Sequence, residues 1–506
     1  MTAARYPAGG RLLAAAGAIA ALLGGCTVGP DFERPQPPEV KGYTAQSLSV
    51  TASTDVPGGE AQRFLQDLDI PGQWWTLFKS EPLSALIERA FAANPDVAAA
   101  QAALRVAKEN VYAEQGAFYP HVDAGFTGER QKSSANLSPV PAQNVNIFNL
   151  FTGQLNVSYT PDVFGLTRRT VESAAAQAEA QRFQVEATYV TLASNVVAAA
   201  VQEAALRDQI AATQDIVKAE TDLVELFRKQ LALGQVAGLD VAAQEAALAA
   251  AQATLPPLEK QLAVQRDLLA ALAGGFPADD SVPRFELASL SLPQDLPLSL
   301  PSRLVEQRPD IRQAEANLHA ASAQIGVAVA NRLPNITLTA NAGKTALAVG
   351  SLFGPGAAFW TLSGSVTQPI FEGGTLLHRE RAARAAFDQA AAQYRSTVIQ
   401  GFQNVADTLN ALESDAKALK AAVAAERAAK TSFDITRRQV ELGAANYVAL
   451  LTAQQVYLNS VISVAQARGN RFADTAALFQ ALGGGWWNRR GEATEGGERL
   501  QHPASG

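Results

Sequence analysis

Residues 166–233 read LTRRTVESAAAQAEAQRFQVEATYVTLASNVVAAAVQEAALRDQIAATQDIVKAETDLVELFRKQLAL, without a single glycine or proline. Alanine, glutamine, glutamate and leucine dominate, all residues that lose little on entering a helix. At 1.5 Å per residue, one unbroken helix of this length runs roughly 100 Å. Leu233-Gly234-Gln235-Val236-Ala237-Gly238 then turns the chain, since glycine ends helices readily. A shorter helix is expected to return over residues 239–273. Upstream, Leu83, Leu86, Ile87 and Ala90 at helical spacing predict a helix from Glu81 to Phe118, stopped by Pro120. Between the helices, Val122, Ala124 and Phe126 alternate with Asp123, Gly125 and Thr127. Leu155, Val157 and Tyr159 alternate with Asn156, Ser158 and Thr160. Joined by a polar loop with Pro139 and Pro141, the two runs predict a β-hairpin over residues 121–161. The first helix and the return helix are each a little over half the long one. Stacked end to end, they would match it.

The chain then repeats this unit. Asn94-Pro95-Asp96 is answered by Arg308-Pro309-Asp310, and Tyr119-Pro120 by Leu333-Pro334. Val163-Phe164-Gly165 is answered by Ile370-Phe371-Glu372-Gly373, and Leu233-Gly234 by Leu442-Gly443. Their order is identical, which marks an internal duplication. Repeat 1 covers residues 73–275 and repeat 2 covers 301–483, with a linker over 276–300. Within repeat 2 the expected elements are a helix over 301–331, a hairpin over 335–369, a long helix over 374–442 and a return helix over 446–482. Proline-rich residues 26–72 read as an extended linker, and residues 484–506 as a disordered tail.

The N-terminus carries a separate signal. Arg5 and Arg11 precede an apolar run, Leu12 to Leu23, too short to span a bilayer and flanked as a secretory leader should be. It ends in Leu23-Gly24-Gly25-Cys26. Small residues before a cysteine let a lipoprotein signal peptidase approach, and the thiol takes the lipid. Residues 1–25 are therefore expected to be removed and Cys26 lipidated. Cys26 is the only cysteine, so no intramolecular disulfide can form.

Composition narrows the function classes. The formal charge is −7, and loss of Arg5 and Arg11 makes the mature chain more acidic. That argues against nucleic acid as a partner. No second long apolar run suggests a transmembrane helix in the mature chain. None of His121, His319, His378 and His502 stands in metal-ligand spacing. Neither a phosphate-binding glycine loop nor a nucleophile elbow is present, so no catalytic residue, metal or cofactor is expected beyond the lipid.

Each chain supplies four candidate strands. Four cannot close a barrel, and open sheet edges are not tolerated in lipid. If the hairpins span a membrane, several chains must share the barrel. At this point a resemblance becomes specific. Cys-Thr-Val-Gly-Pro-Asp-Phe-Glu-Arg-Pro over residues 26–35, Gln73-Trp74-Trp75 with Leu77-Phe78, Asn94-Pro95-Asp96, Pro161-Asp162-Val163-Phe164-Gly165 and Gln368-Pro369-Ile370-Phe371-Glu372-Gly373-Gly374 resemble the NodT-type lipoprotein branch of the TolC-like outer-membrane efflux family. The resemblance covers nearly the whole mature chain.

It implies a mainly α fold with membrane β. In a homotrimer, long helical hairpins would form a periplasmic α-barrel, and four strands per chain would build a shared twelve-strand barrel in outer-membrane lipid. It implies an exit duct working with a periplasmic membrane-fusion adaptor and an inner-membrane pump of the resistance-nodulation-division type. The adaptor would meet the helical turns at Leu233, Gly234, Gly238, Asp240, Leu442, Gly443 and Tyr447. A constriction would fall around Tyr447 to Gln454, with Leu450, Leu451 and Thr452 as its gate residues. Thr452 stands where this family often has an acid, so the ring is acidic or hydrophobic. Two other readings share much of this sequence pattern: a channel for a type I protein-secretion system, and a coiled-coil lipoprotein with no lumen.

Overall fold

A computed structural model of the protein describes residues 27–46, 48–66, 68–132, 147–279 and 282–489. The leader, Cys26 and the Pro139–Pro141 loop lie outside these. In chain order the main elements are β1 (Arg63–Gln66), α1 (Glu81–Ala93), α2 (Pro95–Gln115), β2 (His121–Lys132), β3 (Ile147–Tyr159), α3 (Leu166–Ala232), α4 (Gly238–Ala253), α5 (Leu255–Leu272), β4 (Asp295–Leu298), α6 (Pro301–Gln307), α7 (Pro309–Ala330), β5 (Asn335–Ala346), β6 (Ala358–Thr367), α8 (Thr375–Glu441) and α9 (Tyr447–Ala481). The chain is mainly helical, and α3 and α8 each hold 67 residues.

Several expected boundaries shift. The helix expected over Glu81 to Phe118 is two helices. Pro95 has no N–H to donate and forces the preceding residue out of helical geometry. The Asn94 side chain fills the gap, accepting from Asp96 N–H at 2.8 Å and donating to Leu272 O at 3.0 Å. Repeat 2 breaks likewise at Arg308, whose guanidinium binds Asp310 at 2.6 Å and donates to Ala481 O at 2.7 Å. Both break residues thus hold a carbonyl at the end of their own return helix. The return helix expected over residues 239–273 is interrupted at Thr254, because Pro256 and Pro257 remove two donors from the next turn.

Two compact units are distinguished. Among the described residues, one comprises 27–35, 104–132, 147–181 and 314–394. Its sheet holds four antiparallel strands in the order β2-β3-β5-β6, so the hairpins of both repeats are hydrogen-bonded through β3 and β5, for example Leu155 opposite Ala342. Beside it, the first turns of α3 lie against α7. Ser173 donates to Ala320 O at 3.2 Å and accepts from Gln324 at 2.9 Å.

The other unit comprises the described residues within 36–103, 182–313 and 395–489. Its core is aromatic and aliphatic, with Trp74, Phe78, Leu83, Ile87, Val196, Ala200, Leu269, Phe472 and Phe479 all buried. The N-terminal segment is fastened to it. β1 pairs in parallel with β4, Phe64 opposite Leu296. Arg471, fully buried, donates to Gly58 O at 3.2 Å and Thr51 Oγ1 at 3.1 Å. The tail expected to be disordered from Gly484 is ordered through Arg489. Trp486 donates to Gln307 O at 2.7 Å, Asn488 to Asp69 at 2.7 Å, and Arg489 lies 4.5 Å from the Tyr189 ring centre. Two adjacent tryptophans give that short segment enough apolar surface to dock.

Contrary to the expectation of no transmembrane helix, Leu166–Ala232 and Tyr447–Ala481 each contain a stretch long and apolar enough to cross a membrane by length and composition. Alanine accounts for this in α3, whose apolar stretch is mostly buried in the protein.

Candidate functional site

Three places gather the residues singled out from the sequence. The first is the sheet. Cross-strand register puts whole rows on one face: Val122, Val157, Ala340 and Leu362 in one row, Ala124, Leu155, Ala342 and Trp360 in the next. The opposite face carries His121, Ser158, Thr339 and Ser363, then Asp123, Asn156, Asn341 and Thr361. Polar side chains there bond to one another. Asn156 donates to Asp123 at 2.8 Å, Gln154 to Asn156 at 2.7 Å, and the Thr339 and Ser363 hydroxyls lie 2.7 Å apart. One face is thus apolar and exposed, with Trp360, Leu362 and Val366 open to the surroundings, and the other is hydrophilic. Strands β2 and β6 leave their outer edges unpaired within the chain.

The second place is the start of the described chain, docked in the unit that holds the sheet. Val28 N–H donates to Phe164 O at 3.2 Å. A side chain on Gly165, at φ 83°, would collide with Thr27. Arg169 grips the segment, donating to Val28 O at 3.1 Å, Gly29 O at 3.3 Å and Asp31 at 2.8 Å. Glu172 joins Arg169 to His319 at 2.8 and 2.9 Å, and Phe32 stacks on His319 at 4.4 Å. Arg34 reaches Glu315 at 2.6 Å. The hydrogen bond with His319 first, and then the hydrogen bond and charge of Arg169, hold the Glu172 carboxyl below its usual range against the opposing effect of burial. Residues 27–34 are therefore fixed a few positions beyond the end of β3.

The third place is the pair of helical turns. At the end of α3, Gly234 N–H donates to Leu231 O and Gln235 N–H to Gln230 O, both at 2.9 Å. At the end of α8, Gly443 N–H donates to Val440 O at 3.0 Å and Ala444 N–H to Gln439 O at 2.7 Å. Both glycines have φ 72°, the left-handed position that such a helix end requires. Asp240 closes the next helix start, accepting from Ala237 N–H at 3.1 Å. Gly238 opens α4. Asn446 caps α9 through Ala449 N–H at 2.9 Å. Tyr447 ties the two turns together. Its ring lies 3.9 Å from that of Phe227, and its hydroxyl donates to Gln230 at 2.8 Å. Burial, and then the Asp240 charge, push that hydroxyl's pKa up. Around the turns Leu233 and Leu442 stand exposed, as do Leu239 and Val448 at matching positions of the two repeats.

Beyond the second turn, the structure sorts the expected gate residues by helix face. Leu450 is only 2% exposed. It lies in a buried stripe with Gln454 and Leu458, so it packs helices together rather than lining a passage. Leu451 is half-buried. Thr452 is exposed and donates to Val448 O at 2.8 Å. The outward stripe is Val448, Thr452, Gln455 and Val456. Val448 and Gln455 were not singled out from the sequence. The i, i+4 spacing from Thr452 back to Val448 was the available signal. No charged residue occurs between Tyr447 and Ala467.

Among the described residues, no group of three or more His, Cys, Asp or Glu is placed to hold a metal. The family model described as "Outer membrane efflux protein" matches residues 86–275 and 300–484. The chain is 28% identical over 482 residues to the probable efflux pump outer membrane protein TtgC of Pseudomonas putida, covering 94% of this chain and 96% of that protein. It is 28% identical over 471 residues to outer membrane protein OprJ of Pseudomonas aeruginosa, covering 92% and 95%. It superposes on the solved outer-membrane channel OprN with a TM-score of 0.81 and 25% identity, over 91% of this chain and 100% of that one.

Proposed function

The chain belongs to the outer membrane efflux protein family, and from that premise we propose that it is the outer-membrane exit duct of a tripartite efflux pump, conducting drugs or other small solutes passively. The family consists of channel proteins rather than enzymes. The single observation that carries the reading is the two-faced sheet with bare edges. An apolar face suits lipid and a hydrophilic face suits a water-filled lumen. Unpaired strand edges in lipid need partners, and a second copy of the chain offers β2 to β6. A homotrimer of duplicated units then gives a twelve-strand barrel, with the paired long helices forming its periplasmic α-barrel.

The exposed leucines at the two turns are the surface a periplasmic adaptor would meet. The energy would come from an inner-membrane pump of the resistance-nodulation-division type. The constriction is assigned to Val448, Thr452 and Gln455, an uncharged stripe. The purified protein should therefore form a trimer and a conducting pore in planar bilayers. Val448→Ser should raise conductance severalfold, whereas Leu450→Ser should act mainly on stability. A monomer in detergent with no conductance would sink the duct. An unchanged conductance in Val448→Ser would move the constriction elsewhere.

Lipidation of Cys26 belongs to the same proposal. The clamp on residues 27–34 supports it, because it fixes the residue after Cys26 beside Gly165, just past the membrane strand β3. Labelled fatty acid should enter the wild-type chain and not Cys26→Ser. Equal label in both would show that the lipid sits elsewhere.

A further inference from the structure

The ionisable groups of the four strands separate by sign. Cross-strand register and two-residue alternation place Arg130, Lys132 and Lys344 on the apolar face. Asp123 and Glu129 lie on the hydrophilic face. Among the described residues, β3 and β6 add no charge and no acid shares the apolar face with the three cations.

Arg130 and Lys344 also occupy equivalent positions in the hairpins of the two repeats. Arg130 stands eight residues beyond Val122, and Lys344 eight residues beyond Ile336, each pair marking the length of the apolar face in its strand. Eight residues of strand run about 27 Å, and with a tilt of about 40° they rise roughly 21 Å, most of the roughly 25 Å apolar band of such barrels. All three sit toward the end of the sheet remote from the helices, and all are exposed. The Lys344 ammonium lies 5.4 Å from the centre of the exposed Phe353 ring, which suits an interfacial depth. The segment 347–357 at this end contains no charged residue. An acidic chain, −7 overall, is thus locally cationic here.

We propose that Arg130, Lys132 and Lys344 form a site for the phosphate groups of outer-leaflet glycolipid. This rests on the barrel reading, which turns the apolar face to lipid. A cation beyond an apolar band is costly in hydrocarbon but favourable against anionic headgroups. Arginine grips phosphate through two N–H groups, and lysine adds point charge. Lys344 lies opposite Gly153 and hence level with Phe126, so two strand spacings and four residues of offset put its Cα about 17 Å from that of Arg130, a span bridged by the long side chains and the several phosphates of one glycolipid headgroup.

The full-length protein in detergent would be titrated with fluorescent lipopolysaccharide, intact or dephosphorylated. The triple variant Arg130→Gln, Lys132→Gln, Lys344→Gln would be titrated in parallel. Wild type should bind the intact lipid at least about tenfold more tightly than the triple variant does, and the gap should close at high salt and with dephosphorylated lipid. Both proteins should give the same conductance in planar bilayers. Equal affinity for the intact lipid, with conductance intact, overturns this site and leaves the duct standing. Displacement by millimolar inorganic phosphate assigns the site to free phosphate instead and overturns the lipid. Absence of both trimer and conductance removes the duct and this site with it.

Discussion

Trp74→Ala should destabilise the protein by about 3–5 kcal/mol, the largest loss expected from a single side chain. Trp74 is fully buried. Its ring stacks on Phe479 at 5.0 Å and meets Trp75 and Phe78 edge-on at 6.1 and 6.3 Å. Truncation leaves a cavity that neighbours held in two separate segments cannot fill together, so most of the transfer and packing energy is lost. The same helix of one turn, Trp74–Phe78, precedes the Ser80 cap of α1, so the loss should spread into the start of repeat 1. Chemical unfolding of the purified protein, followed by tryptophan fluorescence and circular dichroism, measures it. A shift below about 1 kcal/mol would show that the core closes over the gap. Trp74→Phe should recover part of the loss, because an aromatic partner for Phe479 remains.

Glu220→Gln should stabilise the protein at pH 8 by about 3 kcal/mol and change nothing at pH 4. Glu220 lies on α3, 5% exposed, and accepts a hydrogen bond from Gln244 of α4. The contacts of Tyr447 with Gln230 and of Leu458 with Ile216 put Gln454 of α9 level with it. Gln454 is buried and its Oε1 has no partner. Burial raises the Glu220 pKa from 4.5 to about 7, and only the Gln244 hydrogen bond works against it. A carboxyl raised in the folded state favours folding below its ordinary pKa, and that contribution is lost as pH rises through about 7. The shift corresponds to about 3 kcal/mol. Glutamine keeps the shape and the hydrogen bond without the charge.

Unfolding midpoints of wild type and variant at pH 4 and pH 8 decide the matter, and parallel pH curves would refute it. Some pH dependence should persist in the variant. Asp415 is also raised to about 7, by burial first and then by its hydrogen bond to Asp474 and that carboxylate's charge.

The long helices were legible because a stretch of good helix formers with no proline, and with only Gly401 as a glycine in α8, admits few alternatives. The turns at Gly234 and Gly443 were legible for the converse reason. Other features depend on contacts that a local pattern does not carry. β1 finds β4 across more than two hundred residues, and neither four-residue strand alternates long enough to stand out. The break at Thr254 was missed although Pro256 and Pro257 announce it, because alanine-rich flanks outweighed them. Leu450, expected at the gate, belongs to a buried stripe that the sequence disguises, because the stripe includes the polar Gln454. The docked Trp486–Arg489 segment was hidden by the glycines and charges around it. That both hairpins join one sheet followed only from the family resemblance and not from the strand pattern, because hairpins announce their own turns and not their neighbours.

The bare edges of the four-stranded sheet bear on how channels accumulate in a cell. A lone subunit placed in lipid would leave two rows of backbone groups without partners, so it has no comfortable resting state there. In the proposed trimer, insertion and ring closure would then occur together, and three subunits would have to meet before any one is secure. At low synthesis rates, encounter between subunits limits the yield, and finished channels should rise more steeply than in proportion to the chains made. A modest change in expression would therefore have a disproportionate effect on the cell's export capacity.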